Sequence, residues 1–309
     1  MDAFLALLPQ TLLNGLTLGS VYGLIALGYS MVYGILKLLN FAHGDIYMIG
    51  AYLGYGVFIM LSADGSTLIP AALVIVLMLV VAMVGAGVAS IAVERFAYRP
   101  LRYAPRIAPL ISALGVSFIL QNLVQITVSP RPLSYGTNTL IGLNAGATVG
   151  DLKIHASRLL VIGVTVVLML ALTYFVQRTR LGRAMRAVST DLDAAEMMGV
   201  DVNRVILATF FIGAVLAGAA GVLVGIVFFS IRHTMGFIAG LKGFTAAVVG
   251  GIGSIPGAML GGLILGLAEA FTSVYLSATF KDTVAFVILV VILLIKPSGL
   301  LGKRIVQKV

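Results

Sequence analysis

The chain has 309 residues, of which 60% are hydrophobic and only 10% charged, whereas soluble domains carry roughly 25% charged residues. A chain of that composition would not stay dissolved in water, so its expected solvent is a lipid bilayer. The net charge of +9 does not indicate nucleic-acid binding, because 13 of the 20 Lys and Arg fall into three short segments between apolar runs. Cysteine is absent, which excludes disulfides, thiolate metal sites and a cysteine nucleophile.

The three basic segments set the expected topology. They are Glu94–Arg106, Arg178–Arg204 and Lys296–Val309. Because loops rich in Lys and Arg stay on the cytoplasmic side, all three segments are expected on the same face of the membrane. The first ten residues contain Asp2 and no basic residue, so they do not resemble a cleavable signal peptide, and the first span is expected to be retained.

The apolar runs predict an all-α membrane protein of eight or nine spans. Ala3–Leu36 is uncharged and long enough for a span plus an interfacial segment, and Ile46–Ala63 is close to the minimum length. Thr283–Ile295 is too short alone, so the last crossing is expected to begin nearer Lys281 or to lie tilted in protein surroundings. Five further runs contain no Asp, Glu, Lys or Arg: Ile69–Val93, Ile107–Pro130, Leu159–Gln177, Val205–Ile231 and Gly243–Ala268.

The segments between the spans predict one membrane domain covering residues 1–309. Arg131–Arg158 is rich in Gly, Pro, Thr and Asn and alternates with the basic segments, so it is expected outside, with a short hairpin. No low-complexity tail or charge block separates a soluble domain. With a cytoplasmic C-terminus, nine spans would place the N-terminus outside, and eight would place it inside.

Glycine interrupts two of the apolar segments. The chain has 36 Gly, and small residues inside spans let helix backbones approach closely and let helices break. Paired interruptions in two halves of a transporter often mark the translocation path, and they suggest twofold internal pseudosymmetry. The candidate path residues at the two breaks are Asn40, His43, Gly44, Gly250, Gly251, Gly253, Ser254, Pro256 and Gly257.

The polar cluster at the first break has two interpretations. Asn40, His43 and Asp45 lie beside Gly44, and a His next to a carboxylate could transfer protons or bind a metal. The chain has three His in total and no His-x3-His or Glu-x-x-His pair, which argues against a metal site. Polar capping of a broken helix is therefore the favoured interpretation, and no metal or cofactor is expected.

Other polar residues near the spans leave alternatives open. Glu269 follows 26 uncharged residues, so it lies either at membrane depth, where it would be functional, or at an interface. Interfacial positions are the default expectation for Lys242, Arg232 and the pair Lys281–Asp282. Gln121 and Gln125 share a helix face, which either lines a pathway or hydrogen-bonds to a neighbouring helix.

Arg178–Arg204 differs from the other loops because it is helix-prone, amphipathic and mixed in charge. A short helix carrying Ala187, Ala194, Ala195, Met197 and Met198 could insert into a groove on a partner while its charges set the orientation. Gly199 is placed to end that helix. The alternative is an interfacial loop whose arginines contact lipid phosphates.

Enzymatic function is disfavoured. The chain has no G-x-x-x-x-G-K-[ST] sequence, so it lacks the phosphate-binding loop of an ATPase. It also lacks an Asp-rich metal motif and any plausible Ser-His-Asp constellation. Energy for active transport would therefore have to come from another subunit.

Three groups of motifs resemble the LivH-type permeases of branched-chain amino-acid ABC transporters. They are Asn40 to Gly44, Tyr47 to Tyr52, and Gly250 to Ala258. The resemblance extends over nearly the whole chain through Asn14-Gly15, Leu18-Gly19-Ser20, Glu94-Arg95, Tyr98-Arg99-Pro100, Leu181-Gly182-Arg183 and Lys281-Asp282.

This resemblance implies the permease fold of a type II ABC importer in a bacterial inner membrane. It implies a homologous second permease of the LivM type, two cytoplasmic ATPase subunits and a periplasmic substrate-binding protein, with Leu, Ile and Val as substrates. It also implies that the segment of about residues 178–204 is the coupling loop to the ATPase. The residues expected there are Arg183, Arg186, Asp191, Ala195, Glu196, Gly199 and Arg204.

Two alternatives remain for function. Relatives of this kind also carry urea, short amides or other amino acids, and an apolar, Gly-rich passage suits such solutes as well. A stand-alone channel or secondary transporter would explain the spans and the missing ATPase loop, although not the docking-like segment.

Overall fold

The computed structural model describes residues 2–62, 70–102, 104–105, 107–136, 146–149 and 152–302, with side chains described from residue 7 onward except at residues 62, 147–149 and 152. The described chain is almost entirely helical, as the sequence predicts, and two small antiparallel β pairs supplement the helices. The helices are α1 Asp2–Leu36, α2 His43–Ser62, α3 Ala71–Val93, α4 Ile107–Thr127, α5 Ala156–Arg178, α6 Arg180–Thr190, α7 Leu192–Met197, α8 Val202–Phe228, α9 Met235–Gly250, α10 Ile255–Phe271 and α11 Lys281–Ile295.

Short irregular turns extend three of these helices. A π-helical turn and a 3₁₀ turn continue α3 to Leu101, and a π-helical turn continues α10 to Leu276. A 3₁₀ turn over Ala278–Phe280 precedes α11 and lengthens it to an 18-residue apolar segment. The last crossing therefore begins before Lys281, in agreement with the sequence prediction.

Eight of the described helical segments are long and apolar enough to cross a membrane. The sequence prediction of Gly243–Ala268 as one span is wrong, because α9 ends at Gly250 and α10 begins at Ile255. The two helices form a hairpin in which Gly250 lies against Gly257, and Gly261 against Ala246. A ninth, shorter crossing by α9 is consistent with its 16 residues, which span about 24 Å at 1.5 Å per residue.

The first span belongs to a long helix. α1 is one continuous 35-residue helix that contains Pro9, which is long enough for the predicted span plus an interfacial segment. Pro9 is the eighth residue of α1, so it lies beyond the first turn and removes one of the backbone hydrogen bonds of the helix. A helix of this length can cross the bilayer tilted and still extend beyond it.

The contacts at the two ends of α1 relate its direction to the predicted outer and inner faces. Near its N-terminal end, the Lys153 backbone N–H donates to Gln10 Oε1 at 3.1 Å, and Lys153 belongs to the segment expected outside. At its C-terminal end, Gly34 faces Gly253 beside the basic segment after α11. With the basic segments inside, as the sequence predicts, α1 would run from outside to inside, which is the orientation that nine spans require.

Helices α1 and α8 form the centre of the bundle, and most of their side chains are buried. Helices α4, α5 and α11 have mainly exposed apolar faces, typical of helices that contact lipid or another membrane subunit. Glycines allow the central helices to touch. Along the α1–α10 seam, Gly15, Gly19 and Gly23 face Gly262 and Gly266, so the two backbones are in direct contact.

The outer segment contains the predicted hairpin, formed by strands β2 (Gly146–Val149) and β3 (Leu152–His155). Strand β1 (Leu133–Ser134) pairs antiparallel with β4 (Ser230–Ile231). Next to β1, the Tyr135 hydroxyl donates to the Ala51 carbonyl oxygen at 2.5 Å. Burial raises the pKa of Tyr135 above its ordinary value, so the hydroxyl stays protonated as a donor and anchors the outer segment to α2.

Candidate functional site

The segment Arg178–Arg204 folds into two short helices on the inner face, and each helix has a side-chain N-cap. Thr179 Oγ1 accepts from the Gly182 N–H at 3.0 Å, and Asp191 Oδ1 accepts from the Ala194 N–H at 3.0 Å. Asp201 Oδ1 caps the following α8 by accepting from the Arg204 N–H at 3.1 Å. Such caps fix where each helix starts, so the segment has a defined shape rather than that of a loose loop.

The turn after α7 requires glycine. Gly199 has a φ of +81°, and the Val200 N–H donates to the Ala195 carbonyl at 3.1 Å. A residue without a Cβ adopts this left-handed conformation at no steric cost and closes the helix. Gly199 therefore ends the helix, as its position in the sequence predicts.

The tip of this segment exposes apolar side chains. Met197 and Met198 are 83% and 84% exposed, and Leu192 is also exposed. Glu196 lies beside them and is exposed as well. Large apolar side chains exposed beside charges on an aqueous face are a feature of protein–protein contact sites, and methionine adapts to a partner surface.

Three predicted docking residues make contacts within this chain. Ala195 is buried, so it anchors α7 from the inside and cannot reach a partner. The Arg186 guanidinium donates to the Val176 carbonyl oxygen at the end of α5, where a cation is favoured by the helix dipole. Arg204 forms an ion pair with Asp201 at 2.8 Å. Ala195 is the one buried residue among the seven predicted; the other six are exposed: Arg183, Arg186, Asp191, Glu196, Gly199 and Arg204.

A small inner cavity of about 90 Å³ lies where α6 meets the central bundle. Met185 from α6, Gly34 and Ile35 from α1, and Gly253 and Ile255 from the second break line it. Met185 and Ile35 are buried. A displacement of α6 would therefore act directly on the end of α1 and on the α9–α10 connection.

The first break is held together by polar contacts. The Tyr98 hydroxyl donates to Asn40 Oδ1 at 2.8 Å, which ties the connection between α1 and α2 to the end of α3. His43 is buried, and its ring lies edge-on to the Tyr29 ring at 4.8 Å between centroids. Gly44 lies against the backbone of Gly236 in α9.

Asp45 and Gln121 extend this polar cluster to α4. Asp45 lies in the first turn of α2, where the helix dipole favours a negative charge. Gln121 Nε2 donates to Asp45 Oδ1 at 3.0 Å and to Ser117 Oγ at 3.2 Å. Gln121 therefore makes the interhelical hydrogen bond that was one of its two predicted alternatives, whereas Gln125 is exposed.

The second break lies at the inner face. Gly251 and Gly253 have φ values of +107° and +90°, which only glycine adopts without strain. Ser254 Oγ caps α10 by accepting from the Gly257 N–H at 3.2 Å, with Pro256 in the first turn. The Leu300 and Leu301 N–H groups donate at 2.9 and 2.8 Å to the last carbonyls of α9, those of Val249 and Gly250.

Gly253 of the second break lies against Gly34, near the end of α1. The candidate path residues of the two breaks do not converge on one cavity. Asn40, His43 and Gly44 are packed between α1, α3 and α9, and Gly250 to Gly257 are packed against the segment after α11. Their role in the path and the pseudosymmetry remain predictions.

Lys242, for which an interfacial position was the default expectation, and Glu269, for which it was one of two alternatives, both have buried side chains. Lys242 Nζ donates to Glu269 Oε1 at 2.6 Å and lies 2.6 Å from Asp282 Oδ1. The Tyr22 hydroxyl donates to Glu269 Oε2 at 2.7 Å. This network, the Lys242 network, joins α1, α9, α10 and α11. In the sequence, the uncharged run before Glu269 was the feature that indicated a charge at membrane depth.

An outer cavity of about 660 Å³ lies beside the Lys242 network. It is bounded by parts of α1, α8, α9 and α10, by Tyr47 of α2 and by the first turns of α5 and α11. The basic residues Arg158, Arg232, Lys242 and Lys281 line it together with apolar side chains. Its position is opposite to the exposed methionines of α7, so the chain has a polar cavity on one face and an apolar contact surface on the other.

A comparison with known proteins connects this arrangement to transport. Residues 11–295 match the family described as "Branched-chain amino acid transport system / permease component". The chain is 45% identical over its whole length, and over 99% of the relative, to the LivH high-affinity branched-chain amino acid transport system permease protein of Salmonella typhimurium. The Escherichia coli K12 LivH protein gives the same values, and BraD of Pseudomonas aeruginosa is 44% identical over 97% of each chain. The chain therefore belongs to the family of branched-chain amino acid transport permeases.

Proposed function

We propose that this chain is the permease subunit of an ATP-driven importer that carries Leu, Ile and Val across the bacterial inner membrane. The observation that carries the proposal is the exposed apolar tip of α7 on the face where the basic segments lie. An isolated channel would have no use for Met197 and Met198 exposed to the cytoplasm. Family membership and the names of the relatives support the substrate class.

The proposed partners follow from the same geometry. A cytoplasmic ATPase subunit receives the tip of α7, and a second permease covers part of the exposed apolar faces of α4, α5 and α11. In the proposed complex, two ATPase subunits serve two permeases, and a periplasmic binding protein delivers the amino acid to the outer face.

Energy transfer would begin at α6 and α7. ATP-driven closure of the ATPase pair displaces α7, and the caps at Thr179 and Asp191 make the segment move as one body. Met185 transmits the displacement to Gly34 and Gly253 around the inner cavity. The glycine connections there accept the change in backbone angles, so the inner ends of α1 and α10 can separate.

The direct test is transport by the assembled complex. We expect affinity capture of this chain from its native membrane to recover a second permease and two ATPase subunits. Reconstituted with its binding protein, the complex should accumulate labelled leucine only when ATP is present. A chain that is recovered alone and transports leucine without ATP would establish a secondary transporter or channel instead.

The coupling surface makes a second prediction. Replacing both Met197 and Met198 by Asp should lower leucine transport at least about tenfold, since losing two central apolar contacts of an interface costs more than 1.4 kcal/mol. Folding should not change, because both side chains are exposed. The measurement is leucine uptake together with recovery of the ATPase subunits on affinity capture.

The matched control is Thr190→Asp, which alters an exposed position on the same inner face, outside the α7 tip. Uptake and ATPase recovery should remain normal in this control. Normal uptake by the double methionine variant would rule out α7 as the docking element.

A further inference from the structure

The outer cavity has properties that the proposed coupling mechanism does not use. Its volume of about 660 Å³ falls within the range of about 300–1,000 Å³ that is usual for small-molecule sites. Four basic and two acidic side chains line it, so the cavity carries a net positive charge. Positive charge within a membrane-embedded wall is costly unless a function or a counter-charge accompanies it.

The two acidic residues do not neutralise the remaining basic ones. Glu269 and Asp282 both pair with Lys242. Among the described residues, no acidic side chain forms an ion pair with Arg158, Arg232 or Lys281. One guanidinium nitrogen of Arg158, Nη1, is buried and has no hydrogen-bond partner in the described part of the chain. A buried donor without a partner is destabilising, and an anionic ligand would satisfy it.

The other walls of the cavity are apolar. Leu18 and Val21 from α1, Val224 and Val227 from α8, and Ile238 from α9 contribute aliphatic surface. A ligand that combines a carboxylate with an aliphatic body fits this combination of a basic rim and an apolar wall. Asp282, whose side chain is half exposed, is available to a ligand ammonium group.

We propose that the outer cavity is a binding site within this chain for the carboxylate of an aliphatic amino acid. Arg158, supported by Arg232 and Lys281, binds the carboxylate, and the aliphatic side chain contacts Val21, Val224 and their neighbours. The amino acid released at the outer face enters this site before the inner gate opens. This inference rests on the proposed function for the identity of the amino acid, whereas the carboxylate preference rests on the cavity alone.

The absence of cysteine from the chain provides a direct test. Ser273 lines the cavity, so Ser273→Cys introduces one thiol at a known place. The chain, purified with its accompanying subunits in lipid nanodiscs, is treated with anionic or cationic methanethiosulfonate reagents, and its modification is followed by intact mass. Each reagent's rate is first divided by its rate on a small free thiol. On this scale the anionic reagent should react about tenfold faster than the cationic one, because the cavity potential attracts it.

Ligand protection then tests the chemistry of the site. Leucine should slow the modification in a saturable manner, whereas leucinamide, which has the same side chain and ammonium group but no carboxylate, should not. Arg158→Gln in the Ser273→Cys background should reduce the anion preference, since three basic residues still line the cavity, and it should remove the protection by leucine. Arg158→Lys should retain the anion preference, which separates loss of charge from loss of folding.

Two control variants locate the effect. Arg131→Gln changes an exposed arginine that does not line the cavity, and it should leave both readouts unchanged. Ser134→Cys places the thiol on β1, also outside the cavity lining, and leucine should not protect it. The inference would be overturned if leucinamide protected as well as leucine or if the anionic reagent showed no preference. It would also be overturned if protection by leucine survived Arg158→Gln.

The same measurements separate this inference from the proposed function. Leucine transport driven by ATP in the unmodified complex, together with no protection of Ser273→Cys, would contradict the cavity site alone. Carboxylate-dependent protection in a complex that does not transport leucine would support the site and contradict the proposed function.

Discussion

Replacing Lys242 by Met should lower the free energy of unfolding by about 3–5 kcal/mol, which is the usual cost of removing one partner of a buried ion pair. Lys242 Nζ is the cation nearest to Glu269, and both side chains are buried. Without Lys242, the Glu269 carboxylate would have only the Tyr22 hydroxyl as a partner. The measurement is thermal or detergent-induced unfolding of the purified complex.

A double variant distinguishes charge from packing in this network. Lys242→Met combined with Glu269→Gln removes both buried charges, so it should recover a large part of the lost stability. As a control, Arg204→Ala removes the exposed ion pair with Asp201 and should cost less than about 1 kcal/mol. If the single and double variants were equally unstable, the loss would come from packing and not from the unpaired carboxylate.

Replacing Gly266 by Leu should disrupt the seam between α1 and α10. A Cβ atom at this position would overlap the backbone N and Cα atoms of Gly19. Backbone atoms cannot move aside as a flexible side chain can, so the cost should reach the upper end of the range of about 1–3 kcal/mol for overpacked cores, or exceed it. The measurement is the yield and the melting temperature of the purified complex.

Gly163→Leu is the matched control for this prediction. It makes the same change on α5, where an added Cβ would have no atom within 4 Å. An exposed substitution of this kind is expected to change stability by no more than about 0.5 kcal/mol. Equal destabilisation by both variants would show that the helix seam is not the cause.

Several features could be predicted from the sequence because they depend on local chemistry. Apolar runs of about 20 residues identify spans regardless of what surrounds them. Gly199, Gly251 and Gly253 predict helix ends, because a positive φ strongly favours glycine. The basic segments predict the inner face. None of these predictions needs a distant contact.

The predictions that were wrong depended on distant contacts. Hydropathy predicts Gly243–Ala268 as one span, but α9 ends at Gly250. The Leu300 and Leu301 N–H groups donate hydrogen bonds to the last carbonyls of that helix. Ala195 has the composition of a contact residue, but its burial depends on how α7 folds back onto α8.

The sequence by itself determined the membrane class, the spans, the inner face and the family, because composition, span length and local motifs carry that information. Only the tertiary structure determined which charged side chains pair with one another. Lys242, Glu269 and Asp282 are separated by up to 40 positions in the chain, and their pairing arises from the packing of α9, α10 and α11. The outer cavity is determined in the same way, because seven helices contribute to its wall and no stretch of sequence contains it.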